Sequence, residues 1–126
     1  MEKKIAAGLK TTFLVHLIVG GLSGLVYLLI PEVFGSLVGW PVKDPFIYRL
    51  FGGALLGITS TSWFAYKATT WESVKIVVQM EIIWTIMGTL VTLGGIFLVG
   101  LPIFAWLNAA ILACFAVAFT YFYTKA

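Results

Sequence analysis

The sequence predicts an all-α polytopic membrane protein, an antiparallel four-transmembrane-helix bundle. Three observations carry that expectation. Hydrophobic residues make up 61% of the 126 residues and charged residues only 10%, against about 45–50% and about 25% in soluble domains. A chain this short buries too small a share of its surface to hide so much apolar area from water. The apolar residues also fall into four stretches, each about the 20 residues needed to cross a bilayer core, divided by proline, glycine and charged residues. The length allows a single domain, residues 1–126.

The first span is expected over residues 11–30. Lys3, Lys4 and Lys10 precede it, and the apolar run is too long for a signal-peptide core, so it reads as an uncleaved span. Pro31 stops it, because the proline ring clashes with the preceding turn. Residues 32–43 read as a loop whose Phe34, Leu37, Val38 and Trp40 suit a segment lying among lipid headgroups. Asp44-Pro45 reads as a helix start, with an N-cap carboxylate and proline at the first helical position. The second span follows over residues 46–66. Residues 67–73 form a polar turn in which Thr69 and Glu72 have capping-box spacing. The third span covers residues 74–99. Gly100 to Pro102 make a short turn, and the fourth span covers residues 103–123. Short connections make sequence neighbours antiparallel. Gly20-Gly21 and Gly94-Gly95 each precede a proline, but at different spacings, so no internal duplication is read.

Orientation follows from Lys and Arg near the span ends. Lys3, Lys4, Lys10, Lys67, Lys75 and Lys125 fall on one side, and Lys43 and Arg49 on the other. That asymmetry places both termini in the cytoplasm and the chain in the cell membrane. The basic residues flank apolar segments, so they read as topology signals and not as a nucleic-acid patch. Tyr48, Tyr66, Tyr121, Tyr123, Trp40 and Trp71 fall near span ends, where amphipathic rings settle at the interface.

Positions i, i+4, i+7 and i+11 share a helix face. On the first span His16, Gly20, Ser23 and Tyr27 obey that spacing. On the second, Arg49, Gly53, Gly57 and Ser60 fall within a sector of about 80°, which places Gly53 inside and Leu55 off the stripe. On the third, Glu81, Thr85, Gly88, Thr92 and Gly95 line up, and on the fourth Asn108 shares a face with Leu112, Phe115 and Phe119. Polar groups face hydrocarbon only at high cost, so these faces are expected to look inward. For the glycines and hydroxyls the plain reading is packing, with small residues at close contacts and hydroxyls bonding across helices. Gly20-x-x-x-Gly24 and Gly53-x-x-x-Gly57 are pairs of that kind.

Ionisable side chains at membrane depth are functional candidates. His16 and Glu81 lie at nearly the same level, since each enters its span from the same side. They form an inner constellation, supported by Ser60, Gln79 and Thr85, that would hold a proton, bind a cationic or polar headgroup, or neutralise itself; the plain alternative is a structural pair or a protonated, neutral Glu81. An outer constellation would join Arg49 to Asn108 and Asp44, with the alternative that Arg49 snorkels to the surface or caps the loop.

Several chemistries are excluded. One cysteine, Cys114, permits neither an intrachain disulfide nor the usual thiolate zinc site. The single aspartate, Asp44, stands on a loop, which removes a Ser-His-Asp set. No glycine loop fits a phosphate-binding fingerprint. One histidine cannot supply bis-histidine haem ligation, and no cofactor is named by the residues.

Gly21-Leu22, Leu28-Leu29, Pro31, Phe34, Gly39, Asp44-Pro45, Arg49, Gly52-Gly53-Ala54 and Gly57 form a pattern. The stretch resembles small four-span DoxX-like membrane proteins, whose most characteristic part is Arg49 followed by the small-residue run. The resemblance implies the four-span fold and leaves open an accessory role beside an oxidoreductase complex.

The leading functional expectation is a non-catalytic integral membrane protein. It would bind a lipid-like or hydrophobic small molecule in its core, or serve as an accessory subunit of a larger membrane complex. Its partners would be the lipid bilayer, such a small molecule, and further copies or subunits, with no nucleic acid. The alternative is a small membrane enzyme or proton-coupled carrier using Glu81 and His16. A pore built from four chains is the weakest expectation, because each helix offers only one polar stripe. Cavity shape discriminates: an enzyme or carrier needs a path reaching both residues, whereas a subunit needs an exposed face rich in small residues, with Glu81 and His16 sealed.

Overall fold

The computed structural model describes residues 1–126 and is all-helical, with no strand. Its elements are α1 (Ala7–Leu29), α2 (Pro31–Val38), α3 (Pro45–Lys67), α4 (Trp71–Val99) and α5 (Phe104–Lys125). Three of them, α1, α4 and α5, are long and apolar enough to cross a membrane. Their outward faces expose large apolar side chains such as Leu22, Ile83, Leu90 and Val117. In water such a surface would be untenable, and it is the pattern of a multi-pass membrane protein.

Local chemistry accounts for the ends. Asp44 accepts a hydrogen bond from the Phe46 N–H at 3.0 Å, with Pro45 at the first helical position of α3. Gly39 (φ 71°) and Gly100 (φ 74°) close α2 and α4 in the left-handed conformation that favours glycine. Pro31 does end α1, but the expected loop beyond it is a helix. Ile30 leaves helical geometry (φ −137°, ψ 48°) and Pro31 opens α2, because a proline disrupts the helix before it and suits the first turn of the next. The capping box expected from Thr69 and Glu72 does not form. The N-cap of α4 is Thr70, whose hydroxyl meets Ser73 Oγ at 3.1 Å. The extended N-terminus takes up the free backbone there, with the Trp71 N–H bonded to Lys3 O at 2.7 Å. Trp71, at the start of α4, therefore packs into the core.

The long helices pack as two antiparallel pairs. Along α1 and α3, Gly24 meets Gly52, Gly20 meets Thr59, and His16 meets Ser62. Along α4 and α5, Gln79 meets Tyr123, Gly88 meets Leu112, and Thr92 meets Asn108. The pairs join closely at one end only. There Leu9, Phe13, Ala65, Val74, Val78, Phe115 and Phe119 form the hydrophobic core. Both termini lie at that end, where Lys3 Nζ donates to Lys125 O at 3.4 Å.

The face that α3 turns inward is not the one its sequence suggests. Its buried residues are Gly52, Leu55, Thr59, Ser62 and Ala65, whereas Gly53 and Gly57 are exposed with open space where a Cβ would lie. The two faces lie roughly 150° apart at 100° per residue. Small residues occur on both, and Thr59 to Ser62 ring the helix with hydroxyls, so periodicity alone selects neither.

Candidate functional site

His16, Ser62 and Glu81 meet from three helices at the boundary between the packed end and the open end. Ser62 Oγ lies 2.8 Å from His16 Nδ1 and donates to Glu81 Oε1 at 3.2 Å. His16 Nδ1 is itself 3.4 Å from Glu81 Oε1, and all three side chains are buried. Phe115 and Phe119 present their rings edge-on to the imidazole at 4.9 and 5.8 Å. The spacing that places His16 and Glu81 at one level thus brings them together, as the sequence expects. Ser62 was missed by sequence reasoning, which chose Ser60 from the wrong face of α3. The signal was present: Gly52, Leu55, Thr59 and Ser62 follow helical spacing as regularly as the Arg49 stripe does.

The other supporting residues fall elsewhere. Ser60 Oγ bonds its own helix at Gly57 O, 2.6 Å, away from the cluster. Gln79 is exposed, and its amide donates to the Tyr123 hydroxyl at 3.0 Å. Thr85 does lie on the buried face one turn beyond Glu81, and bonds Glu81 O at 2.6 Å. Most hydroxyls behave in this way. Thr61, Thr89 and Thr92 each bond a carbonyl three or four residues back on their own helix, which satisfies them without a partner helix.

The outer constellation does not form. Arg49 pairs with Glu32 of α2 at 3.0 Å, with both side chains substantially exposed, while Asp44 caps α3 and Asn108 donates to Thr92 Oγ1 at 3.2 Å. The guanidinium reaches the rim because solvation there is cheaper than burial. The Glu32 carboxyl is held below the usual carboxylate range, first by a backbone N–H of the opening turn of α2 and then by Arg49.

Between the helix pairs, on the α2 side of the His16 cluster, lies a cavity of about 740 Å³. Its lining is mostly apolar, with Val19, Leu55, Trp84, Ile111 and Leu112 among the walls. Three of the sequence stripes converge on it: His16, Gly20, Ser23 and Tyr27 from α1, Gly88 and Thr92 from α4, and Asn108, Leu112 and Phe115 from α5. Sequence reasoning missed the aromatic cover. Phe34 of α2 packs edge-on against Tyr27 and Phe104 at 5.3 and 5.2 Å, and Trp40 reaches Phe104 at 6.4 Å. Trp40 thus roofs the cavity, which is a different role from an interfacial anchor. On one side the wall is open: Ile47 and Phe51 of α3 and Met87 and Val91 of α4 line the cavity and are also exposed.

His16 lines this cavity, whereas Glu81 lies behind it with Oε2 sealed and without a partner. The arrangement offers an apolar chamber with one polar group at its deep end and lateral access between α3 and α4. Metal chemistry has no matching ligand set, since no group of three His, Cys, Asp or Glu side chains comes together. No protein-family model, curated protein or solved structure matches the chain.

Proposed function

We propose that this chain is a four-span membrane protein that holds a lipid-like or other hydrophobic small molecule between its two helix pairs. The observation that carries the reading is the cavity of about 740 Å³, which is within the range of small-molecule sites and apolar but for a few converging polar groups. Its exposed flank between α3 and α4 would admit a ligand directly from the bilayer. The fourth span is α3, whose 23 residues match α1 and run antiparallel beside it. Thr59, Ser60 and Thr61 bond carbonyls of their own helix, Ser62 bonds Glu81 inside the bundle, and the charged residues Arg49 and Lys67 stand near the ends. The positive-inside rule then places the Lys3 and Lys125 end in the cytoplasm and the chain in the cell membrane. This plan, with Arg49 opening α3, supports grouping the chain with small DoxX-like proteins.

A second reading, as an accessory subunit, is favoured by a different observation. Gly53 and Gly57 stand one turn apart on an exposed face of α3 with open space above them, which suits close approach of another membrane helix. The enzyme or carrier reading has less support, because Glu81 is sealed from the cavity that His16 reaches.

Native mass spectrometry after mild detergent extraction tests the main reading. The expected result is protein carrying an apolar adduct, lost when Leu112→Trp fills the cavity. Adduct-free protein from fresh membranes, with identical spectra for wild type and Leu112→Trp, would overturn it.

A further inference from the structure

We propose that the cavity selects apolar molecules ending in a neutral hydroxyl group, and that the selecting atom is Nε2 of His16. The inference rests on the cavity reading above and names the chemistry of its occupant.

Proton accounting leads to it. Ser62 Oγ donates to Glu81 Oε1 and also lies within hydrogen-bond distance of His16 Nδ1. A hydroxyl has one proton to give. With the Glu81 carboxyl taken as the acceptor through Oε1, Ser62 can only accept from the imidazole, and Nδ1 carries the hydrogen. In the neutral ring Nε2 is then a bare acceptor. It makes no hydrogen bond within the chain and, unlike Glu81 Oε2, is not sealed. It lies on the side of Gly20, where an added Cβ would stand 3.9 Å away, and Gly20 itself lines the cavity. His16 is therefore a side chain only 3% exposed that lines an apolar chamber and carries a ring nitrogen with no partner in the chain.

The remaining walls narrow the head group further. No lysine or arginine lines the cavity, so an anionic head would lose its hydration without gaining a counter-charge, and it would approach Glu81 behind the imidazole. A ketone, ester or ether offers only acceptors and would leave Nε2 unpaired. A hydroxyl supplies the missing donor. Elsewhere on the lining, Asn108 donates to Thr92 and Ser23 bonds Val19 O at 2.8 Å, while the Trp84 indole N–H, a donor that makes no bond to Nε2, is buried without a partner. Ser62 acts here as a positioning residue, since it fixes which imidazole nitrogen faces the ligand.

The chain has one histidine, so histidine labelled with nitrogen-15 reports only these two ring nitrogens. The experiment uses the full chain in lipid nanodiscs with 1-dodecanol, dodecane and 1-methoxyundecane as probes. Before addition, the expected spectrum shows Nδ1 protonated and Nε2 unprotonated. Dodecanol should move Nε2 upfield, as hydrogen bonding to an unprotonated ring nitrogen does, and leave Nδ1 nearly fixed; dodecane should move neither. In titrations dodecanol should bind roughly ten- to a hundredfold more tightly than the ether, the value of satisfying one buried partner. Ser62→Ala should narrow that ratio while dodecane binding persists. If all three probes bind equally with Nε2 unmoved, the cavity reading stands and the role of His16 falls. If Nε2 is protonated before any probe is added, the assignment is overturned. Binding of none of the probes would overturn both.

Discussion

At the scale of single residues, the close approach of α1 and α3 depends on Gly52 and not on its neighbour. A Cβ at Gly52 would lie 2.6 Å from Leu28 N and 2.7 Å from Gly24 O, both backbone atoms that cannot swing away. Gly52→Ala should therefore force the helices apart and cost about 1–3 kcal/mol. Gly53→Ala meets nothing within 4 Å and should be neutral or stabilising by up to about 1 kcal/mol, the helix-propensity gain. Leu55, which the sequence places off the stripe, is only 5% exposed, so Leu55→Ala belongs with the damaging substitutions. Thermal melts of the three variants in one detergent decide the matter; a Gly53→Ala variant as damaged as Gly52→Ala would contradict the packing. The buried cluster calls for a double-mutant cycle. Glu81→Gln and His16→Gln should each cost several kcal/mol, of order 3–5, because each strands a desolvated partner. Their combined loss should be well below the sum, and strictly additive losses would show that the 3.4 Å approach carries no coupling.

At the scale of elements, α2 is fixed to the bundle by aromatic contacts below and the Glu32–Arg49 pair above. The Glu32 carboxyl titrates below its unfolded value, so its ionised form favours the folded state. That contribution is present above the unfolded carboxylate value of about 4.3 and is lost as pH falls through the lowered folded value. Glu32→Gln should accordingly melt slightly below wild type at pH 7, with the gap closing under acid and shrinking in high salt. A gap that widens on acidification would reverse the sign and refute the pairing. At the start of α3, Asp44→Ala removes a cap that the Phe46 N–H uses, and should cost about 1 kcal/mol by the same melts.

For the whole molecule, the two helix pairs close at the end bearing the termini and part at the other. Charge divides the same way: six lysines mark the closed end, while Lys43 and Arg49 share the open end with Glu32 and Asp44. With Cys114→Ala as background, an impermeant thiol reagent added outside cells should label Lys43→Cys and spare Lys3→Cys. The opposite pattern would invert the proposed orientation, and labelling of both positions would break the four-span plan.

The sequence by itself determined that the chain is helical, that Pro31 ends α1 and Asp44-Pro45 opens α3, and which faces of α1, α4 and α5 look inward, while α2 reads as a loop. Those faces were legible because a polar or small residue recurs every third or fourth position between residues too apolar to be confused with it. His16 and Glu81 were legible as a pair because each stands at a countable distance from its end of the span. Only the tertiary structure decided the inward face of α3, where glycines and hydroxyls surround the helix and give periodicity nothing to choose between. It alone decided that Arg49 goes to Glu32, that Trp71 is core and that Trp40 roofs a cavity, because long side chains select among several neighbours through packing. The cavity is the clearest case. It exists because the two pairs join closely at one end only, and the space left between helices is a property of their arrangement, which no single stretch of residues encodes.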